Sequence, residues 1–169
     1  GVLNGKIVLN NVPEKAKLVI DAEGKYVTPG FVDAHSHGDV IMGEHFAHVC
    51  RTNQGITTEI AGQCGMSMGP VDPNRLEGLQ SFLNAGTAKY PKEMKEWTTW
   101  TKYLTYADKL PKTTNFKLFV GFNTLRITVM GYDDRKPKAE ELERMKALLK
   151  DAMEHGALGM SSGLAYVPG

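Results

Sequence analysis

Two histidines one residue apart, reached through a turn and a short apolar run, constrain this chain more than any other feature. The stretch from Tyr26 to Asp39 reads Tyr-Val-Thr-Pro-Gly-Phe-Val-Asp-Ala-His-Ser-His-Gly-Asp. Pro29-Gly30 marks a turn, and Phe31-Val32 begins an extended segment. Along a strand, side chains at i and i+2 share a face. His35 and His37 can therefore aim two imidazoles at one point, as ligands of a single metal ion do. The same spacing also suits two surface histidines on a loop, so the pair acquires meaning only beside further donors.

The next segment offers such donors. A helix is predicted over Glu44 to Arg51, with Phe46, Val49 and Cys50 on one side. Cys50, amid apolar neighbours, reads as a buried thiol that packs as a small hydrophobe. His45 and His48 lie three apart on this helix, as a second metal pair or as ordinary packing and surface residues. Gly55 ends the helix, and Ile56 to Ile60, rich in β-branched residues, reads as a second strand. That strand opens into Gly62-Gln63-Cys64-Gly65. A cysteine there is either a small residue in a tight loop or a thiolate poised to bind zinc, and glycine neighbours let a ligand approach the backbone.

The flanking sequence supplies a framework. Lys6 to Leu9 and Leu18 to Ile20 are short β-rich runs separated by Asn10-Asn11 and Pro13, and Glu23-Gly24 turns the chain into Tyr26-Val27, which together predict hairpin-type β structure. Pro70 to Pro73 is a turn before a helical pattern through Leu76, Leu79 and Phe82-Leu83. Gly86 to Trp97 reads as a loop. Trp97, Trp100, Tyr103-Leu104 and Ala107 form an i, i+3, i+4 stripe on a helix from Trp97 to Leu110, which reads as core packing. Asn115 to Gly121 is a third strand, followed by the loop from Phe122 to Arg126. Arg126 is a candidate bidentate donor to a substrate carboxylate, or a structural partner for its own loop. Pro137 opens a helix from Lys138 to His155, with Leu142, Met145, Leu149, Ala152 and Met153 on one face, and Gly156 stops it. Ala157 to Met160 is a fourth strand, ending in Ser161-Ser-Gly-Leu-Ala-Tyr166. Strands alternating with helices predict a parallel α/β arrangement.

Composition excludes several classes. Twenty basic and 19 acidic residues leave a formal charge of +1, which does not suit a nucleic-acid partner. No apolar run approaches the roughly 20 residues that span a bilayer, so no membrane partner is expected. Two cysteines make no disulfide framework, and a reducing, cytoplasmic location is the expectation.

Three of these elements resemble one known family. Pro-Gly-Phe-Val-Asp-Ala-His-Ser-His is similar to the signature of the amidohydrolase superfamily. Gly62-Gln-Cys-Gly-Met-Ser67 and the run from Gly156 to Tyr166 resemble its D-aminoacylase branch, the N-acyl-D-amino-acid deacylases. The resemblance implies the first half of a (β/α)8 TIM-type barrel over residues 29–169, preceded by part of a small β-sandwich over residues 1–28. A whole barrel takes about 250 residues, so the chain is expected to be an N-terminal piece, inactive alone. The implied metal ligands are His35, His37 and Cys64, holding one or two Zn²⁺ ions, and the implied reaction is hydrolysis of the amide of an N-acyl-D-amino acid, a small-molecule substrate. Tyr166 becomes a candidate to bind that substrate or an oxyanion, or else packs over the strand end. The acidic proton shuttle and further histidines are expected beyond Gly169. The sequence departs from the branch twice, with Gln63 in place of Asn and Phe122 in place of a histidine. Hydantoinases and dihydroorotases carry a lysine at the end of strand four, where this chain has Ser161 and Ser162. A cyclic-amide hydrolase is thus the lesser alternative, and a non-catalytic barrel the other.

Overall fold

The computed structural model describes residues 1–10, 15–83 and 90–169, with residues 45–48 described by their backbone alone. The chain opens with an antiparallel hairpin, Val2–Leu3 (β1) against Lys6–Ile7 (β2). Its turn at Asn4-Gly5 has φ of 51° and 74°, the left-handed pair that matches the twist of two-residue hairpins. Leu18 to Ile20 is not a strand; its side chains are 74%, 81% and 79% exposed. A strand exists only where its N–H and C=O groups find a ladder partner, and the described residues bring none to this run. The predicted break at Asn11 and Pro13 lies outside the described residues, as does the start of the loop from Gly86.

The rest alternates between strand and helix. Phe31–Asp33 (β3) is followed by His45–Thr52 (α1) and Ile56–Ala61 (β4). Leu76–Leu83 (α2) and Trp100–Ala107 (α3) precede Asn115–Leu118 (β5) and Val120–Gly121 (β6). Phe122–Met130 (α4) and Ala139–Glu154 (α5) lead to Met160–Ser161 (β7). β3, β4 and β5 pair in parallel, with Asp33 opposite Glu59 and Ala61 opposite Leu118. β6 pairs in parallel with β7, Gly121 opposite Ser161.

The predicted third strand, Asn115 to Gly121, divides because its bonds pass from one neighbour to the other. Phe119 donates to Ala61 on β4 at 2.9 Å, and Val120 donates to Gly159, just before β7, at 3.0 Å. All four strand positions therefore lie side by side in chain order, and their C-terminal ends share one edge.

Further sequence expectations change here. Phe122 to Arg126 is not loop but the first turns of α4, which starts directly from Gly121. Cys50 is exposed. α1 instead turns Arg51 toward the sheet, where its Nε meets a Glu59 oxygen at 2.6 Å. Successive helical residues differ by about 100°, so Cys50 is carried outward. On α5, Met145 and Ala152 are buried, whereas Leu142 and Met153 are 39% and 47% exposed, and Leu148 packs in their stead.

The aromatic stripe is core, as its spacing predicts, although the helix predicted from Trp97 to Leu110 runs only from Trp100 to Ala107 and Trp97 lies before it. Trp97, Trp100, Tyr103 and Ala107 are all at most 4% exposed, packed with Leu79, Met94 and Ile127. The Tyr103 ring lies 5.2 Å from that of Trp97 and 5.5 Å from that of Trp100, within the range of favourable aromatic pairs. The Thr99 hydroxyl accepts from Lys102 N–H to cap α3, and Trp100 N–H donates to an Asp151 oxygen of α5 at 2.9 Å. These helices hold the sheet from behind and leave its C-terminal edge for other work.

Candidate metal centre

The chain leaves β3 through a tight bend, in which Asp33 Oδ1 accepts the His35 N–H at 3.2 Å. Strand alternation nevertheless persists, because Ser36 N–H donates to Ile60 of β4 at 3.0 Å. Ser36 consequently points inward and is 4% exposed, while His35 and His37 both emerge on the opposite side, their ring centroids 5.8 Å apart. The i, i+2 expectation holds even though the strand proper has ended.

Ser36 is held from beneath by a carboxylate. Its hydroxyl donates to Glu59 Oε2 at 2.7 Å and accepts the Gly38 N–H at 2.9 Å. Thr114 donates to Glu59 Oε1 at 2.9 Å, and Arg51 supplies the balancing charge. Glu59 has no exposed surface. A buried carboxylate is tolerable only with its lone pairs so occupied.

Cys64 arrives from β4 on a loop of unusual backbone. Gly62, Cys64 and Gly65 have φ of 76°, 56° and 75°. For cysteine this left-handed conformation costs roughly 1–2 kcal/mol, and strain of this kind concentrates at functional sites. Neighbouring loops crowd against it. A Cβ on Gly163 would stand 2.1 Å from the Cys64 carbonyl oxygen, and one on Gly121 2.2 Å from that of Gly65. Gln63 Nε2 donates to Ala34 O at 3.1 Å, tying the loop to the end of β3.

The result is a converging donor set. Cys64 Sγ lies 3.3 Å from His35 Nε2, and the ligand atoms of His35, His37 and Cys64 all fall within 4.8 Å of one another. Donors about 2.0–2.3 Å from a tetrahedral zinc stand about 3.5 Å apart, so the sulfur–imidazole pair fits one ion. The wider spread of the set also fits two adjacent ions, which sit about 3.5–4 Å apart in two-metal sites. Partial burial, and then the neighbouring His35, hold His37 below the usual imidazole range, favouring the neutral ring that a metal requires. Two residues after His37, Asp39 is 4% exposed. Burial pushes its carboxyl up to about 7, against the pull of the Gly62, Asp39 and Val40 N–H groups.

Arg126 and Tyr166 do not join the three donors. They line a cavity of about 250 Å³ with Tyr132, Asp133 and Leu164. Arg126 Nη2 donates to the carbonyls of Asp133 and Arg135 at 2.7 and 3.0 Å, so it ties the loop after α4. Tyr166 is 46% exposed; its ring adjoins Gly163, which in turn touches Cys64. The side chains of His45 and His48 lie outside the described residues. Glu59, Gly163 and Asn123, whose Nδ2 donates to the carbonyls of Gly163 and Tyr166 at 3.1 and 3.2 Å, carried no local signal in the sequence, since each acts only through distant partners.

A model of the amidohydrolase family matches residues 18–167. The chain is 36% identical over 152 residues to N-acyl-D-aspartate deacylase of Alcaligenes xylosoxydans xylosoxydans, covering 89% of this chain and 29% of that protein. Its fold matches the crystal structure of N-acyl-D-glutamate deacylase from Bordetella bronchiseptica, complexed with zinc and a phosphonate mimic of the tetrahedral intermediate, with a TM-score of 0.69 and 34% identity over 83% of this chain and 28% of that one. It also matches a D-aminoacylase studied for its binuclear metal centre, with a TM-score of 0.67 and 32% identity over the same shares, 83% and 28%. The chain thus spans less than a third of the length of these relatives.

Proposed function

Because the chain belongs to the amidohydrolase family, we propose that its full-length protein hydrolyses the amide bond of N-acyl-D-amino acids, with His35, His37 and Cys64 among the ligands of one or two zinc ions. The observation that carries this reading is the 3.3 Å approach of Cys64 Sγ to His35 Nε2, with His37 beside them. These groups come from two separate strand ends. In the same reading, residues 29–169 form the first half of a (β/α)8 barrel, supported by four parallel strand positions in chain order. Residues 1–28 belong to a small β-sandwich, supported by the exposed apolar run from Leu18 to Ile20 and by Tyr26 and Val27, 98% and 86% exposed.

When bound, zinc supplies Lewis acidity toward the amide carbonyl and acidifies water near neutral pH. The chain's own residues prepare for this. Ser36, pinned by Glu59, turns both histidines the same way. The left-handed backbone at Cys64 brings its sulfur toward them. In the same reading Tyr166 and Arg126 bind the substrate, supported by the cavity that they share and by the capacity of a guanidinium to bond a carboxylate. The ring-opening alternative is not carried forward: the strand-four position that it would assign to lysine holds Ser161, whose hydroxyl is already bonded to Gly62 and Gly65.

The test is turnover by the purified full-length protein of N-acetyl derivatives of D-aspartate, D-glutamate and D-leucine, with L-enantiomers and a hydantoin as controls. Chiral chromatography should show free D-amino acid, abolished by a chelator and restored by zinc. Zinc-replete protein that turns over none of the D-substrates would overturn the proposal.

A further inference from the structure

The Cys64 loop is gripped by a residue almost a hundred positions later in the chain. Ser161 Oγ accepts the Gly65 N–H at 3.0 Å and donates to the Gly62 carbonyl at 2.5 Å. One hydroxyl can do both, having one proton and two lone pairs. The two bonded groups flank Gln63 and Cys64 on either side, so they span the short arc that carries the thiol.

Ser161 is itself fixed. It belongs to β7, in register with Gly121 of β6, and the preceding Gly159 accepts from Val120 at 3.0 Å. The grip therefore refers the loop to the sheet rather than to another loop. Gln63 ties the same arc to the other side, at Ala34, but reaches only its middle. The left-handed backbone at Cys64, with φ of 56°, is a conformation that cysteine leaves unless its neighbours hold it.

We propose that Ser161 is a positioning residue for Cys64: its hydroxyl clasps Gly62 and Gly65 and so sets the direction of the thiolate toward the metal. This rests on the reading of Cys64 as a ligand. Outer groups that orient ligands typically alter metal affinity 10–100-fold when removed.

The experiment uses the full-length protein as wild type, Ser161→Ala, Ser161→Thr and Cys64→Ala. Three quantities are read: zinc affinity by competition with a chromophoric chelator, the near-ultraviolet sulfur-to-cobalt charge-transfer band after cobalt substitution, and the melting midpoint of the metal-free form. Ser161→Ala should bind zinc about 10–100-fold more weakly and show a weakened or shifted sulfur band, with a metal-free midpoint near wild type, while Ser161→Thr restores both metal readouts. Wild-type affinity and an unshifted band in Ser161→Ala would overturn the assignment. A wild-type protein without the sulfur band, or a Cys64→Ala variant that keeps it, would locate the failure in the ligand reading, and the role of Ser161 falls with it. Should the alanine variant not fold, Ser161→Thr and Ser161→Val, which differ in hydroxyl against methyl, give the same comparison.

Discussion

Glu59, wholly buried on the second parallel strand, accepts a 2.7 Å hydrogen bond from the hydroxyl of Ser36, the residue between the two histidines. The bond couples a charge in the interior to the direction of two side chains at the surface. Replacing Glu59 with alanine would remove the carboxylate that Arg51, whose side chain is only 20% exposed, meets at 2.6 Å, and would take away the acceptor of the Ser36 and Thr114 hydroxyls. Removing one member of a buried pair costs about 3–5 kcal/mol. Because Arg51 retains some solvent, the lower end is expected. Urea unfolding of the full-length Glu59→Ala protein should show a loss of about 3 kcal/mol; a loss under about 1 kcal/mol would mean that the network does not hold β3 to β4.

Cys64→Ala removes the thiol and leaves the glycine-flanked loop in place. In the full-length protein it should abolish deacylation and lower bound zinc together, as measured by elemental analysis beside a turnover assay. Wild-type zinc content in that variant would refute Cys64 as a ligand.

Gly163 has no room for a side chain, since a Cβ would stand 2.1 Å from the Cys64 carbonyl oxygen. The obstacle is backbone, which cannot rotate away. Gly163→Ala should therefore destabilise by about 1–3 kcal/mol through overpacking. It should also weaken zinc binding, because the displaced atom belongs to the ligand residue. Unchanged melting and zinc affinity would show that the loops can separate without consequence.

Glu141 has a pH signature of its own. Hydrogen bonds from the Arg135 guanidinium, and then from the Lys138 N–H, hold its carboxyl down at about 2. A depressed carboxylate contributes stability that is complete above its unfolded value of about 4.3 and fades as pH falls toward the folded one. The stability difference between wild type and Glu141→Gln should accordingly be constant near neutrality and shrink between about pH 4 and 2. Side-chain carboxyl titration by NMR should place the midpoint near 2. A midpoint in the ordinary range for glutamate would dissolve the Arg135–Glu141 bridge.

Much of the framework was legible in local pattern. The two-residue spacing of His35 and His37, the β-branched run before Gly62 and the stripe from Trp100 to Ala107 each announce their element, because periodicity is local geometry. The exceptions share a cause. Cys50 reads as buried from its apolar neighbours, yet Glu59, a residue of another element, turns Arg51 inward and Cys50 outward. Leu18 to Ile20 has strand composition but no ladder partner among the described residues. Phe122 to Arg126 reads as the loop after a strand, while the helix from Phe122 to Met130 buries most of its residues against other elements.

By itself the sequence determined which residues could be donors, which strands and helices would carry them, and which family they resemble. The spacing of side chains along a strand is a property of the backbone alone. Only the tertiary structure decided that Cys64 meets His35, that Ser161 grips the loop carrying Cys64, and that Arg126 and Tyr166 share a separate cavity. Those relationships join residues tens of positions apart, and a contact across such a separation depends on how the strands pair.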